Sequence, residues 1–340
     1  MEQTLEQQAQ THITQIVQDA IQLQPTERAL VIFDTEAALT KIITDAYRHI
    51  LPEAQFVDFS TVTTGDVFAL FDGLKPGDLV VLIQSANFRL DAFRVRIEIF
   101  QRGLKTIEHT HLNRIPETQF ATYVNALAYD QAYYRPIGKA LKVGVEKTQR
   151  IRVLCDGTEL VYEGGMEEAK LNVGDYREMK NVGGTFPIGE VFTEPKDLRA
   201  VNGTAKIFAF AGEDHLVRMY EPFLVHITNG ILSAPEGPQE FQNILKLIGD
   251  EEEVLVREFG MGLNPAMGPH ALVNDITAFE RQRGLHFSLG EKHAIYAKPG
   301  LHRKKGRYHV DIFVAATQIF FDEDLVFEND SYENAIKKPS

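Results

Sequence analysis

The chain of 340 residues contains a single cysteine, Cys155. Neither an internal disulfide nor a cysteine-rich zinc site can form within it. Cys155 closes the strand-like run Ile151-Arg152-Val153-Leu154-Cys155, which reads as a buried, inert thiol in preference to a nucleophile. Basic residues are also in short supply. Lys and Arg number 35 against 48 Asp and Glu, a formal net charge of -13. That balance argues against nucleic acid and anionic membrane as partners, and reads otherwise as solubility. No apolar stretch approaches the length of a membrane span, and the polar opening Met1-Glu2-Gln3-Thr4 carries neither a basic nor an apolar leader region. The expected setting is therefore cytoplasmic. No internal repeat or low-complexity tract occurs, and no Gly-x-Gly-x-x-Gly follows the first strand pattern, so dinucleotide binding is unsupported.

With 44% hydrophobic residues the chain can bury a large core, and its length favours two domains over one. Over 1–148 the pattern alternates in the manner of a parallel sheet covered by helices. A helical stripe (Leu5, Ile13, Ile16, Val17, Ala20, Ile21) precedes a buried strand over Ala29–Phe33, and a helix follows over Ala37–Ile50. Further strands are expected over Ala54–Phe59 and Asp78–Ile83, with helices over Leu90–Gln101 and roughly Glu117–Lys147. This is the sequence of a doubly wound, Rossmann-like or flavodoxin-like α/β domain. Asp34-Thr35-Glu36, at the end of the first strand, reads as a helix N-cap. The texture then changes to strands and turns. A hairpin over Arg150–Glu163, closed at Asp156-Gly157, opens a β-rich, mixed α+β domain assigned to 149–330. It includes strand patterns at Ala205–Phe210 and Phe223–Ile227 and a short helix at Gln239–Ile248. The polar tail 331–340 is expected to fray.

Within that second domain, Glu190, Glu258, His286, His309 and Asp311 each sit in a short apolar segment. An ionised carboxylate costs several kcal/mol to bury unless something cationic neutralises it. In Tyr308-His309-Val310-Asp311-Ile312, strand alternation puts His309 and Asp311 on one face, about 7 Å apart along the strand. Such a pair taken alone is more often a solvated or ion-paired face than a metal site. Glu190 lies in Gly183-Gly184-Thr185-Phe186-Pro187-Ile188-Gly189-Glu190-Val191-Phe192-Thr193-Glu194-Pro195, where glycines and prolines bracket one short strand. Val254 to Glu258 is an apolar run ending in a Glu and a glycine-rich turn, Gly260-Met261-Gly262. His286, between Leu285 and Phe287, would by itself be a core histidine satisfied by one hydrogen bond. Together, in one region, these ligand types favour a metal centre.

The same residues carry a resemblance. Gly-Glu-Val-Phe-Thr-x-Pro at 189–195 is followed by Val201-Asn202-Gly203-Thr204 and Glu-Phe-Gly-x-Gly-x-Asn-Pro at 258–265. His-x-x-Leu-Gly at 286–290 and His-x-Asp at 309–311 complete the order. This series resembles the M29 family of metallo-aminopeptidases, over most of 180–328. The resemblance implies a homodimeric exopeptidase with two divalent ions, Zn, Co or Mn, acting on small peptides. Carried over by position, it implies Glu190, Glu258, His286, His309 and Asp311 as ligands. Where the family has a tyrosine ligand, seven residues after the first histidine, this chain has His293, with Tyr296 three residues on. The lead-in Phe279-Glu280-Arg281-Gln282-Arg283-Gly284-Leu285 is basic where the family is acidic, and Glu194 takes a place often held by a small residue.

Two ions bridged by a carboxylate and a water would lower the pKa of that water and polarise a carbonyl. Glu258 or Glu190, through a free oxygen, is the leading general base; Glu194, Glu291 and His293 read more readily as structural, and Arg257 as a group that orients Glu258. Two other readings stay open on the residues. His286, His309 and Asp311 supply the two histidines and carboxylate of a mononuclear Fe(II) oxygenase, and ring-cleaving dihydroxypyridine dioxygenases resemble this same family. The third is a metal-binding scaffold without catalysis.

Overall fold

The computed structural model describes residues 3–88, 95–290, 296 and 308–337. It is a mixed α/β structure with one parallel and one large antiparallel sheet. In chain order the strands are β1 (Ala29–Phe33), β2 (Gln55–Asp58), β3 (Leu79–Ile83), β4 (Lys105–His109), β5 (Arg150–Cys155) and β6 (Thr158–Glu163). They continue as β7 (Lys170–Asn172), β8 (Gly183–Thr185), β9 (Glu190–Thr193), β10 (Val201–Ala211), β11 (Val217–Thr228) and β12 (Ile231–Ser233). The last are β13 (Val256–Gly262), β14 (Gly284–Gly290), β15 (His309–Val314), β16 (Ala316–Phe321) and β17 (Asp324–Glu328). The chain divides into two compact units, each discontinuous in sequence.

The first unit comprises Met1–Tyr134, Gly174–Ile188 and Val273–Ala278. Its sheet has the order β2-β1-β3-β4-β8, with every pair parallel. Leu30, Val31 and Ile32 are successive and exposed by no more than 1%, so both faces of β1 are covered, as a parallel sheet requires. Val67, Phe71 and Ile99 pack with Leu30, Ile32, Val80 and Leu82 into one core cluster. The expected helices form at Leu5–Gln15, with Thr4 and Gln7 in a reciprocal capping box, and at Ala38–Ile50. The stretch expected to be helical from Glu117 to Lys147 breaks into Phe120–Ala126 and Gln131–Lys147. Of the helix expected over Leu90–Gln101, Val95–Gln101 is helical and the first residues lie outside the described set.

Asp34 does not cap the following helix. The N-cap is Ala37, which makes no side-chain capping bond. Asp34 instead accepts the Glu36 backbone N–H at 3.2 Å and both the N–H and hydroxyl of Ser85, at 2.7 and 2.9 Å. Its carboxylate thereby ties the ends of β1 and β3 together, a partnership 51 residues away that the local sequence cannot announce.

The second unit comprises Arg135–Val173, Gly189–Leu272 and Phe279–Ser340. Its 12-stranded sheet has the order β17-β16-β5-β6-β10-β15-β14-β13-β9-β7, with β11 and β12 branching from β10. The Arg150–Glu163 hairpin forms as expected, Cys155 pairing with Thr158 across Asp156-Gly157. Two expectations are corrected. The segment 183–195 holds two short strands, β8 in the parallel sheet and β9 in the antiparallel one, because Phe186 to Gly189 carries the chain from one unit to the other. The supposed glycine-rich turn after Glu258 is extended strand, β13 continuing through Gly262 with β14 on one side and β9 on the other.

Candidate metal centre

The register of four neighbouring strands of the second unit builds the centre. Glu190 of β9 pairs with Gly262 of β13, Gly260 with His286 of β14, and Ser288 of β14 with Asp311 of β15. Directly paired residues of antiparallel strands share a face, and alternate residues along a strand return to it. Glu190, His286, Asp311 and His309 therefore project from one side of the sheet, and the Glu258 side chain reaches the same place. Ser288 accepts the Glu258 backbone N–H on its hydroxyl at 3.1 Å, fixing β13 where its register with β14 is irregular.

Glycine at 260 follows from this geometry. A Cβ there would lie 2.1 Å from His286 Nε2 and 2.2 Å from Cε1, so only glycine leaves room for the imidazole to lie across β13. At 262 an added Cβ would meet the Gln282 carbonyl oxygen at 1.9 Å, so glycine also lets the Arg281-Gln282 backbone press against β13. What resembles turn composition in the sequence is a strand hollowed to admit a ring and a neighbouring chain segment.

His286 is fully buried, Glu190 is 3% exposed and Glu258 is 8% exposed. His286 Nε2 lies 3.4 Å from Glu190 Oε1 and 3.4 Å from Glu258 Oε1. Among the described residues these three alone form a group of potential ligands whose atoms all lie within 4.8 Å of one another. Bonds of about 2.1 Å at a tetrahedral ion hold neighbouring ligand atoms about 3.4 Å apart, so the observed spacing fits a bound divalent cation. Two carboxylate oxygens and an imidazole nitrogen suit Zn, Co, Mn or Fe(II).

The electrostatics describe a centre built for positive charge. Burial alone would lower the His286 pKa, but bonding to Glu190 and Glu258, with the charges of Glu190 and Asp311, holds it up at about 10. For Glu190, burial opposes ionisation; the Arg281 guanidinium and His286 outweigh it and keep the carboxyl below its usual range. Asp311, 4% exposed, is likewise held low against its burial, chiefly by the charge of His309. The His309 Nε2 to Asp311 Oδ1 distance is 3.2 Å, close enough for an ion pair, yet Oδ1 makes no well-directed hydrogen bond. A buried carboxylate oxygen so placed keeps capacity for a further cation.

The other candidates are distributed as follows. His293 and Glu291 lie outside the described residues. Tyr296 donates its hydroxyl to the Glu168 carbonyl at 2.8 Å. Arg257 does not pair with Glu258: its Nε donates to the Gly290 carbonyl at 2.5 Å, and Nη1 lies 3.7 Å from Glu194 Oε1. Glu194 and Arg257 thus form a buried ion pair, consistent with a structural part. The residue that sequence reasoning passed over is Arg281, whose Nη2 lies 3.5 Å from Glu190 Oε2. The basic lead-in to His286 was its only signal.

No protein-family model matches this chain, and no curated protein matches it in sequence. Solved structures do share the fold. The 2,5-dihydroxypyridine dioxygenase from Pseudomonas putida KT2440 superposes with a TM-score of 0.66 at 15% identity, covering 98% of this chain and 100% of that one. Wild-type AmpT from Thermus thermophilus gives a TM-score of 0.61 at 13% identity, covering 97% and 100%. The chain therefore has the fold of both over almost its whole length. Among the described residues no helix is long and apolar enough to cross a membrane.

Proposed function

We propose that the protein is a metal-dependent aminopeptidase that removes N-terminal residues from small peptides, with Glu190, Glu258 and His286 at the metal and Asp311 and His309 beside it. One observation carries the reading: two buried carboxylates from separate strands converge on the same imidazole nitrogen, at 3.4 Å each. The motifs that resemble the M29 family lie on these residues, and the fold is shared with AmpT. When bound, a divalent cation supplies Lewis-acid polarisation of a carbonyl and a more acidic water. The protein's own part is to hold the charges. Gly260 and Ser288 fix His286 and Glu258 in place, and Glu258, with Oε1 turned to His286, keeps Oε2 to accept a proton and return it to the leaving amine. A homodimer, implied by the resemblance, belongs to the same proposal.

A second reading has its own support. The β14–β15 pairing puts His286, His309 and Asp311 on one face, which is the set a mononuclear Fe(II) ring-cleaving dioxygenase uses, and the Pseudomonas dioxygenase shares the fold. Elemental analysis after chelation and reloading with Zn, Co, Mn or Fe(II), paired with aminoacyl and dihydroxypyridine substrates, separates the two. The peptidase reading expects Glu258→Gln to lose both bound Zn, Co or Mn and aminoacyl hydrolysis, with the parallel sheet still folded by circular dichroism. Iron retained in Glu190→Gln and Glu258→Gln, with ring cleavage, would move the assignment to the oxygenase.

A further inference from the structure

Glu190 divides its two oxygens. Oε1 faces His286 Nε2 at 3.4 Å and Oε2 faces Arg281 Nη2 at 3.5 Å. Were Glu190 to serve two ions it would have to offer one oxygen to each, and here a guanidinium already faces the second oxygen. The placement is built into the fold. Gly262 pairs with Glu190 across β9 and β13, and its missing Cβ is what admits the Arg281-Gln282 backbone against β13. Arg281 is 8% exposed and cannot leave for solvent without repacking. Arg281 also pairs with Glu280, whose side chain is 22% accessible.

The charges agree. Glu190, Glu258 and Asp311 bring three negative charges to the buried face, and a guanidinium, which does not deprotonate in proteins, neutralises one permanently. The ligand geometry agrees as well, since Glu190, Glu258 and His286 form the one compact set of three among the described residues.

We propose that Arg281 serves as a fixed internal cation in place of a second metal ion, so that this centre binds one divalent ion where the family it resembles uses two. The inference rests on the metal-centre reading and refines its stoichiometry. Arg281 is a positioning residue: it acts on Glu190 and through Glu190 on the ion.

The test is a count of bound metal in the full chain. Wild-type protein, stripped by chelator and titrated calorimetrically with Zn(II) and separately with Mn(II), is expected to bind one equivalent. Arg281→Met, which keeps the bulk and removes the charge, is expected to bind two, and Arg281→Lys, which keeps the charge, one. Two equivalents in the wild type, or one in a folded Arg281→Met, would overturn the inference and leave the metal centre standing. No binding by the wild type under any condition would overturn both. Should Arg281→Met fail to fold, anomalous scattering from wild-type crystals soaked in Zn(II) decides: one peak among Glu190, Glu258 and His286 supports the proposal, and a second peak at Glu190 Oε2 refutes it.

Discussion

Gly260→Ala adds one methyl group at the most sensitive point of the centre. The new carbon would stand 2.1 Å from His286 Nε2, whereas ordinary contact begins near 3.4 Å, so the ring must withdraw by more than an ångström. The ring is fully buried and has little room to do so, with Phe313 stacked obliquely at 5.8 Å between centroids. Overpacking of this kind costs about 1–3 kcal/mol of stability. On the proposed metal centre the larger effect falls on ion binding. Disturbing the orientation of a ligating histidine lowers metal affinity about 10–100-fold, or roughly 1.4–2.7 kcal/mol. Competition titration of Zn(II) against a chromophoric chelator reads the affinity, and thermal melts with and without metal read the stability. Gly184→Ala is the control, because a Cβ at that strand position would meet nothing within 4 Å. If Gly260→Ala bound Zn(II) with the wild-type constant and melted at the wild-type temperature, the described contact between β13 and the imidazole would be wrong.

Removing Arg257 takes one cation from a buried acid: Arg257→Met should destabilise the second unit by up to about 3–5 kcal/mol, read by urea denaturation, because Glu194 loses the guanidinium 3.7 Å from its Oε1. Arg257→Met with wild-type stability would show that the pair contributes nothing. His109 should make the first unit acid-sensitive. Desolvation lowers its pKa to about 3 from 6.5, with Tyr47 and Tyr123 hydroxyls at 3.0 and 3.1 Å on its two nitrogens. The folded histidine stays neutral while the unfolded one takes a proton, so its contribution is intact above pH 6.5 and is lost progressively as pH falls towards 3. By pH 5 the loss is about 2 kcal/mol, from 1.36 kcal/mol per pH unit. His109→Leu should be less stable at pH 7 yet flatter between pH 7 and 5 than the wild type in denaturant titrations; parallel pH profiles would refute the assignment.

Much of the fold was legible because its signals are local. The apolar runs Ala29–Phe33 and Leu79–Ile83, the hairpin at Asp156-Gly157 and the helices at Ala38 and Gln239 each announce themselves within a few residues. The sequence also singled out Glu190, Glu258 and His286, and the structure brings these three together. His309 and Asp311 share their face but pair with each other. What stayed hidden depends on partners distant in sequence. Asp34 reads as a cap until Ser85 is beside it, and Gly260-Met261-Gly262 reads as a turn until a histidine ring needs the space. The division of 183–195 between two sheets was hidden for the same reason, since neither sheet can be inferred from thirteen residues of one strand-like segment. Arg281 was visible only as an unexpected positive charge, and its meaning required the position of Glu190 Oε2.

No two of Glu190, Glu258 and His286 lie on the same strand. On the proposed reading, the three come together as one site only once β9, β13 and β14 have paired. Long-range pairing of this kind is slow to form. Once it is complete, a metal ion bound as proposed, at a hundredfold excess over its dissociation constant, would add about 2.7 kcal/mol to the unfolding free energy. Survival of the polypeptide under proteolysis would consequently track the supply of metal around it, making turnover of the chain itself a gauge of metal sufficiency.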